Sequence, residues 1–312
     1  MEPPALAHLP PGLTGRPLTT RPLCHDDAHA VFELMAAQEQ ADLGWVEIEE
    51  ADIVSDWARS SADLAHRTTG VFDGEQLVGY VEVSPGGRGD AAVLPELRGR
   101  GLGTALAARM VEIAREHGHR VVGMPVPQGS AGDRLLASLG WQVRWTSWVL
   151  ELPEGAEIPA RDLPAGYSLA VATPAQLREV WTVAEDAFLE WSERDREPYD
   201  DFEASVLGRP GFEPWHLRVV LGPDGAVVGT SLLTLGDEAV YVSRLAVARA
   251  HRHQGLAQVL LVDSFAAGRA HGATRCELST DSRTGALGLY EKVGMQVRDT
   301  WVNRAIVVPT AS

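Results

Sequence analysis

The feature that most constrains the fold is an internal repeat that spans most of the chain. A short apolar stretch followed by a glycine-rich loop occurs at Ala91–Gly103 and again at Leu245–Ala257. A second matching pair, Leu135–Trp141 and Leu289–Met295, lies downstream at the same offset of 154 residues. Motifs that recur in one order at one spacing indicate the duplication of a whole domain. The 312 residues are also enough for two domains of ordinary size.

A proline- and charge-rich segment separates the two repeats, which is the composition of a linker. We therefore predict a disordered leader at 1–15, a first domain at 16–152, a linker at 153–166 and a second domain at 167–309. The leader is rich in proline and has no apolar run flanked by positive charge, so it does not resemble a signal peptide.

Each repeat predicts the same order of mixed α/β elements. A strand leads into a helix, an irregular acidic region, a hairpin and the strand before the glycine loop. A long amphipathic helix follows at Leu102–His117 and at Leu256–His271, each ended by a glycine. A strand, a short helix and a last strand complete the repeat. The predicted fold class is α/β, as two tandem domains that each contain a mixed, mostly antiparallel sheet flanked by helices.

The glycine loop has a chemical meaning because it lies between a strand and the start of a helix. Glycines let backbone N–H groups approach an anion, and the helix N-terminus adds further unpaired N–H groups. Both loops share the pattern Arg-x-x-Gly-x-Gly/Ala. Its positions are Arg98, Gly101 and Gly103 in the first repeat and Arg252, Gly255 and Ala257 in the second. Since the Gly-Lys-Ser/Thr of a P-loop and the acidic residue of a dinucleotide-binding motif are both absent from the sequence, another pyrophosphate ligand is indicated.

The strand-and-loop pattern resembles the coenzyme A pyrophosphate loop of the GNAT acetyltransferase superfamily. The segment Leu289–Met295 is similar to that family's Leu-Tyr-x-Lys-x-Gly-Phe motif, with Met295 in place of phenylalanine. The resemblance covers almost the whole chain, once per repeat, and the layout is similar to that of tandem members in which the second copy is catalytic. It implies that acetyl-CoA is the acyl-donor substrate and that a small-molecule amine is the acceptor.

The resemblance also implies which residues contact the donor. The backbones of Leu245 and Val247 would pair with the pantetheine arm, and the following loop would hold the pyrophosphate. The implied set in the second repeat is Leu245, Ala246, Val247, Arg252, His253, Gln254, Gly255, Leu256 and Ala257. The implied set in the first repeat is Val93, Arg98, Gly99, Arg100, Gly101, Leu102, Gly103 and Thr104. We therefore expect both repeats to bind coenzyme A.

Tyr290 is the predicted catalytic residue. A phenol is neutral at pH 7 and can donate a proton to a departing thiolate. Tyr290 occupies the position at which GNAT enzymes carry that acid, whereas the matching residue of the first repeat is Leu136, which has no proton to donate. Only the second repeat is therefore expected to be catalytic. A purely structural role for Tyr290 at the start of its helix is the alternative.

The sequence does not identify a general base. GNAT enzymes often place a glutamate six residues before the last valine of the strand, and here Tyr241 and Gly87 occupy that position. Glu238 lies three residues earlier and could act through water. Alternatively, the amine loses its proton to ordered water or arrives neutral.

The acceptor site is expected in the acidic region of the second repeat, since carboxylates and aromatic rings suit an ammonium group. Glu190 and Glu193 in this region, with Tyr241 and Glu238, are the predicted acceptor-side residues. A solvated acidic loop explains the same residues equally well. Residues 45–50 of the first repeat could close the same pocket.

Composition excludes several classes of protein. A formal net charge of −16 argues against nucleic-acid binding. Two distant cysteines, Cys24 and Cys276, form neither a disulfide framework nor a zinc cluster. His251 and His253 have no third ligand at a useful spacing, so no metal site is expected. No stretch of the sequence is apolar over the ~18 residues of a membrane span, so we expect a cytoplasmic protein. We also expect it to be a monomer or a homodimer.

Three alternatives remain open at this point. The chain could be a non-catalytic acyl-CoA sensor or scaffold, which would not need Tyr290. As an enzyme, it could transfer a longer acyl group, or it could use an acceptor that is not an amine.

Overall fold

The structure is a computed structural model that describes residues 6, 9–13, 15–192 and 194–309. The chain forms two compact units. The first comprises Met1–Thr146 and Trp301–Ser312, and the second comprises Ser147–Thr300. Both contain β-sheet flanked by helices, so the predicted fold class is confirmed. The division differs from the predicted domains because each unit takes a short segment from the other half of the sequence.

In the first unit, the strands β1 to β4 form an antiparallel sheet in chain order. The strands are β1 (Thr19–Arg21), β2 (Thr68–Asp73), β3 (Gln76–Val83), β4 (Gly89–Val93), β5 (Val121–Pro127) and the beginning of β6 (Gln142–Leu152). The helices are α1 (Ala28–Asp42), α2 (Glu50–Trp57), α3 (Leu64–Arg67), α4 (Leu102–Glu116) and α5 (Ala131–Ser138). Helix α4 buries its apolar face against β3, with Leu102 and Leu106 in the core.

The described part of the predicted leader belongs to this unit. Leu6 is buried and Leu9 packs against the core. Pro11 forms an isolated β-bridge with Pro17. These residues of the predicted leader thus contact the first unit, and the disordered leader stays a prediction. The remainder of the predicted leader lies outside the described residues.

In the second unit, β7 to β10 are antiparallel neighbours in chain order, and β10 pairs in parallel with β11. The strands are β7 (Ser168–Val171), β8 (Leu217–Leu221), β9 (Val227–Leu235), β10 (Ala239–Val247), β11 (Arg275–Asp281) and the beginning of β12 (Gln296–Val307). The helices are α6 (Leu177–Leu189), α7 (Tyr199–Phe202), α8 (Leu256–Ala270) and α9 (Leu287–Lys292). None of the described helices is long and apolar enough to cross a membrane.

The last strand of each repeat completes the unit that the other repeat builds. Residues 147–152 of β6 pair antiparallel with β11 in the second unit. Residues 301–307 of β12 pair antiparallel with β5 in the first unit. Leu150 and Leu152 are buried in the second unit's core, and Val302 is buried in the first unit's core. Strand pairing between distant segments thus decides the unit boundaries, which local composition could not show.

Helix α8 positions the site in the second unit. Its buried face includes Leu260, Leu261 and Phe265. The helix begins directly after Gly255, and Gly272 follows its end with a φ of +101°. That left-handed conformation suits glycine at a helix C-terminus. The observed span ends one residue before the predicted His271.

Candidate active site

The second unit places its glycine loop at the N-terminus of α8. Gly255 has a φ of +84°, the left-handed region that favours glycine. The first α8 N–H to bond within the helix is that of Val259, which donates to the Gly255 carbonyl at 3.1 Å. No side chain among the described residues caps this end. The N–H groups of the first turn are therefore available to an anion.

Strands β10 and β11 diverge just before the loop. Among the described residues, their parallel pairing ends at Val242 and Leu278. The register between β10 and β9 shifts between Val242 and Arg244, which marks a β-bulge at Ser243. A bulge bends its strand. The rest of β10 is therefore separated from β11 by a gap.

The backbone edge of β10 faces this gap. The Ala248 N–H donates to the Val228 carbonyl on the β9 side. Polar groups of alternate residues in an antiparallel strand point to opposite sides. Leu245 and Val247 therefore direct their backbone N–H and C=O groups toward the gap, as the pantetheine prediction requires.

A cavity of about 700 Å³ lies at the gap, a size typical of small-molecule sites. Its walls are the edge of β10, the glycine loop, the first turn of α8, the end of β11 and one side of α9. The predicted donor ligands that line it are Leu245, Ala246, Val247, Arg252, His253, Gly255, Leu256 and Ala257. Gln254 does not line it.

Tyr290 lies in the wall of this cavity, on α9. Burial raises the pKa of its hydroxyl to about 12, and the nearby Tyr241 hydroxyl acts in the same direction. The phenol is therefore fully protonated at neutral pH. Its counterpart Leu136, on α5, is buried in the apolar core of the first unit. The two matching residues thus differ in location as well as in chemistry, because Tyr290 lines a cavity whereas Leu136 lies in the core.

Tyr241 and Glu238, the two polar residues considered near the general-base position, lie at different distances from the cavity. The Tyr241 hydroxyl lies 2.6 Å from the Ser279 Oγ, and Ser279 lines the cavity. Glu238 lies at the far end of β10 and does not line the cavity. Its carboxylate is largely exposed and lies 3.9 Å from the Arg275 guanidinium. The structure therefore does not bring Glu238 to the candidate site.

Arg252, predicted near the pyrophosphate, lines the cavity and is also bound to Glu190 of the acidic region. Its guanidinium forms two hydrogen bonds with Glu190, at 2.7 and 2.8 Å, and its Nε donates to the Val247 carbonyl at 2.9 Å. The hydrogen bond from Arg252 lowers the pKa of Glu190. Glu190 is thus the partner of a loop arginine, not a free carboxylate for an acceptor. The Arg252–Glu190 pair anchors the glycine loop to the end of α6.

Two further carboxylates in or beside the acidic region are paired with arginines that the sequence analysis did not single out. Glu185 is buried and receives two hydrogen bonds from Arg194, each 2.8 Å long. Glu197 receives one from Arg244 at 3.0 Å. The sequence does show Arg194 and Arg196 alternating with acidic residues, and this alternation could have indicated ion pairs within the region. Glu193, predicted on the acceptor side, lies outside the described residues.

The cavity itself offers no unpaired carboxylate among the described residues. The acidic residues in its lining are Glu190 and Asp281. Asp281 is paired with Arg283, as Glu190 is with Arg252. The other polar residues in this part of the lining include Ser279, Thr280 and, on the same helix as Tyr290, Lys292. No group of three or more metal-binding side chains occurs in the described chain.

The first unit has the same loop backbone, with a φ of +76° at Gly99 and +95° at Gly101. Arg98 is again bound by a carboxylate at the end of the first helix, Asp42, at 2.7 and 3.0 Å. Leu102 is completely buried. A Cβ on Gly103 would lie 2.8 Å from Leu135, so this glycine serves helix packing.

The strand edge of the first unit is occupied by a side chain. Gln38 on α1 accepts from the Val93 N–H at 3.2 Å and donates to the Ala91 carbonyl at 3.5 Å. Ala91 and Val93 match Leu245 and Val247 of the second repeat. Val93, predicted to pair with pantetheine, is therefore bonded to a glutamine amide. On the corresponding edge of the second unit, the one side-chain hydrogen bond within the described part of the chain runs from the Arg252 Nε to the Val247 carbonyl.

Comparison with known proteins agrees with this architecture. The sequence matches the acetyltransferase (GNAT) family at residues 29–132 and 177–295. Mycothiol acetyltransferase of Thermobispora bispora is 28% identical over 284 residues, which cover 86% of this chain and 92% of the relative.

Two solved structures share the fold over nearly the whole chain. A GCN5-related N-acetyltransferase from Sphaerobacter thermophilus has a TM-score of 0.72 at 24% identity, with 95% of this chain and 97% of that chain covered. A tandem GNAT protein from the clavulanic acid biosynthesis pathway has a TM-score of 0.73 at 20% identity, with 95% and 100% covered. The family match falls once in each half and spans most of the sequence. The chain therefore belongs to the GNAT family of acetyltransferases and is an acyltransferase.

Proposed function

We propose that the second unit transfers an acetyl group from acetyl-CoA to the amine of a small molecule, with Tyr290 as the acid at the departing sulfur. The observation that carries the proposal is that one cavity brings together an open strand edge, a glycine loop at a helix N-terminus and a neutral phenol. A relative of similar length is named an acetyltransferase.

The cavity suits the parts of the proposed donor. The Leu245 N–H and C=O and the Val247 N–H would pair with the amides of the pantetheine arm, as a neighbouring strand would. The N–H groups at the start of α8 would hold the pyrophosphate. This arrangement directs the thioester toward the bulge at Ser243 and the hydroxyl of Tyr290.

The raised pKa of Tyr290 refines its role. Acetyl transfer forms a C–N bond to the acceptor and breaks the C–S bond, which leaves charge on sulfur. A phenol with a pKa of about 12 stays protonated and donates a hydrogen bond to that sulfur. Because a free thiol has a pKa of about 8.5, complete proton transfer from the phenol is uphill. Tyr290 therefore acts mainly as a hydrogen-bond donor that stabilises the developing thiolate. The proton that the acceptor nitrogen loses as the amide forms passes to water, and the thiolate takes up its proton from solvent.

The charges in the cavity bear on the acceptor. Both carboxylates in the described lining are engaged by arginines, so neither is set to bind an ammonium group or to remove its proton. We infer that the acceptor amine loses its proton to water before attack. The hydroxyl-bearing residues near Tyr290 are suited to hydrogen bonding a neutral, polar acceptor.

We further propose that only the second unit binds the donor along its strand edge. Gln38 satisfies the Val93 N–H and the Ala91 carbonyl in the first unit. Pantetheine would have to displace this side chain to form the same bonds. The sequence-based expectation of a second coenzyme A site stays a prediction, and this contact argues against it.

Steady-state kinetics of Tyr290→Phe tests the proposed chemistry. The acceptors are screened as a panel of amines, with release of free coenzyme A thiol as the readout. We expect kcat to fall about 10²–10³-fold, as for the loss of one hydrogen-bond donor to a developing negative charge, while the Kd for acetyl-CoA is unchanged. Tyr199→Phe is the matched control, since Tyr199 packs against Trp181 and does not line the cavity. Wild-type turnover by Tyr290→Phe with every accepted amine would show that Tyr290 is not the acid.

The same assay separates the alternatives. Turnover of acetyl-CoA but not of longer acyl-CoA thioesters supports acetyl transfer, and the reverse preference supports a longer acyl group. Hydroxyl- and thiol-bearing acceptors in the panel test a non-amine acceptor. A protein that binds acyl-CoA but releases no thiol with any acceptor would fit a binding scaffold.

A further inference from the structure

The linker between the two repeats follows α8 within the second unit. The Ala156 carbonyl accepts from Arg269, near the end of α8, at 3.1 Å. The Pro159 carbonyl accepts from Gln258, in its first turn, at 2.7 Å. Ile158 between them is buried in the same apolar cluster as Leu261. The linker is thus fixed alongside the helix and runs toward the helix N-terminus.

This path places Arg161 at the glycine loop. A Cβ built on Gly255 would lie 2.5 Å from the Arg161 Cδ and 2.6 Å from its Nε, so the side chain rests directly on that glycine. Arg161 lines the cavity and is exposed. Among the described residues it has no hydrogen-bond or ion-pair partner. Gly255 therefore provides room for an arginine as well as the backbone turn.

The electrostatics of the loop make this arginine distinctive. The whole chain carries a formal charge of −16, which opposes the approach of a phosphate-bearing donor. Arg252, the arginine of the loop itself, is paired with Glu190. Arg161 adds a full positive charge beside the partial charges of the α8 N–H groups. The matching glycine of the first unit, Gly101, has nothing within 4 Å of an added Cβ.

We propose that the linker residue Arg161 binds the pyrophosphate of the acyl donor in the second unit. The inference rests on the proposed function, because it assumes that acetyl-CoA enters this cavity. A guanidinium that is exposed, unpaired and held by a fixed segment can donate two hydrogen bonds to phosphate oxygens. The linker would then be part of the donor site, not only a tether.

Calorimetric titration of the full chain with three donors tests this assignment. The donors are acetyl-CoA, its 3′-dephospho analogue, and S-acetylpantetheine at millimolar concentration. For Arg161→Ala we expect about tenfold weaker binding of the first two donors, as for one charge-assisted contact, and unchanged binding of S-acetylpantetheine. Arg161→Lys should lose less, because it keeps the charge. Arg269→Ala is the control, since it also breaks a linker contact but at the opposite end of α8.

Each other outcome contradicts the assignment in a distinct way. Equal acetyl-CoA affinity in Arg161→Ala and wild type would overturn it. Weaker binding of acetyl-CoA but not of the dephospho analogue by Arg161→Ala would show that Arg161 contacts the 3′-phosphate and not the pyrophosphate. An equal loss with S-acetylpantetheine, or in Arg269→Ala, would show only a structural effect of the linker. Wild-type protein that binds none of the donors would overturn the proposed function, and this inference with it.

Discussion

Three glycine-to-alanine variants separate backbone strain from donor binding. Gly255, Gly101 and Gly225 have φ values of +84°, +95° and +81°. Alanine in this region costs about 1–2 kcal/mol, and its lower unfolded-state entropy offsets about 0.4–1 kcal/mol of that cost. Each variant should therefore lose about 1 kcal/mol of unfolding free energy, or ~2–4 °C in Tm for a unit of this size. The three variants should be similar in stability.

Donor binding should distinguish them. An added Cβ at Gly101 or Gly225 meets nothing within 4 Å, whereas at Gly255 it would lie 2.5 Å from Arg161. The methyl group of the Gly255→Ala variant must therefore displace the Arg161 side chain from the glycine loop. We expect its Kd for acetyl-CoA to rise at least about tenfold, which corresponds to about 1.4 kcal/mol. Gly225→Ala, in the β8–β9 hairpin, should bind normally.

Differential scanning fluorimetry and calorimetric titration together decide the outcome. Gly101→Ala should keep wild-type stoichiometry and affinity if Gln38 closes the strand edge of the first unit. Loss of one of two binding sites in Gly101→Ala would refute that reasoning and establish the first loop as a donor site. Normal acetyl-CoA binding by Gly255→Ala, at an equal loss of Tm, would refute the placement of the donor in the second unit.

Two further predictions concern stability. Burial raises the pKa of Glu82 to about 7 from its ordinary 4.5, so the folded state holds this proton more tightly than the unfolded chain does. The resulting stabilisation is complete below pH ~4.5 and is lost as the pH rises through 7, so urea titrations should give an unfolding free energy lower by on the order of 1–3 kcal/mol at pH 8 than at pH 5. Glu82→Gln should remove part of this slope, and an unchanged slope would contradict the assignment. Separately, a chain of residues 153–300 lacks the strand that contributes Leu150 and Leu152 to the core, and the loss of two buried leucines, at about 2–5 kcal/mol each, rivals the whole stability of a domain. It should show no cooperative melting by circular dichroism, whereas residues 147–300 should melt cooperatively, and equal behaviour of the two would refute the role of this strand.

Local features of the site could be predicted because their causes are local. The glycine loop between a strand and a helix predicts backbone N–H groups open to an anion at a helix N-terminus. In the structure Gly255 is left-handed and no described side chain caps the start of α8. The α8 and α4 boundaries follow from apolar periodicity and a terminal glycine. The repeat itself pointed to the difference between Tyr290 and Leu136. The structure then placed one in a cavity wall and the other in a core.

Side-chain partners across long sequence separations could not be predicted. Arg252 and Glu190 are 62 residues apart, and Gln38 is 55 residues from Val93. Sequence patterns report which residue types occur, whereas these contacts depend on how α6 and α1 pack against their sheets. The same limit explains why the sequence leaves an ammonium site and a solvated acidic loop as equal interpretations of the acidic region. Glu190 and Glu197 are paired with Arg252 and Arg244, and only the folded arrangement shows which arginine each of the two meets.

The exchanged last strands have a consequence for the history of the duplication. Once residues 147–152 became part of the second unit and 301–307 part of the first, neither copy could be deleted without damaging the sheet of the other. The first copy therefore contributes a strand that the second unit needs, whether or not it binds a donor itself. A mutation that destabilises either copy is therefore expected to affect the folding of both.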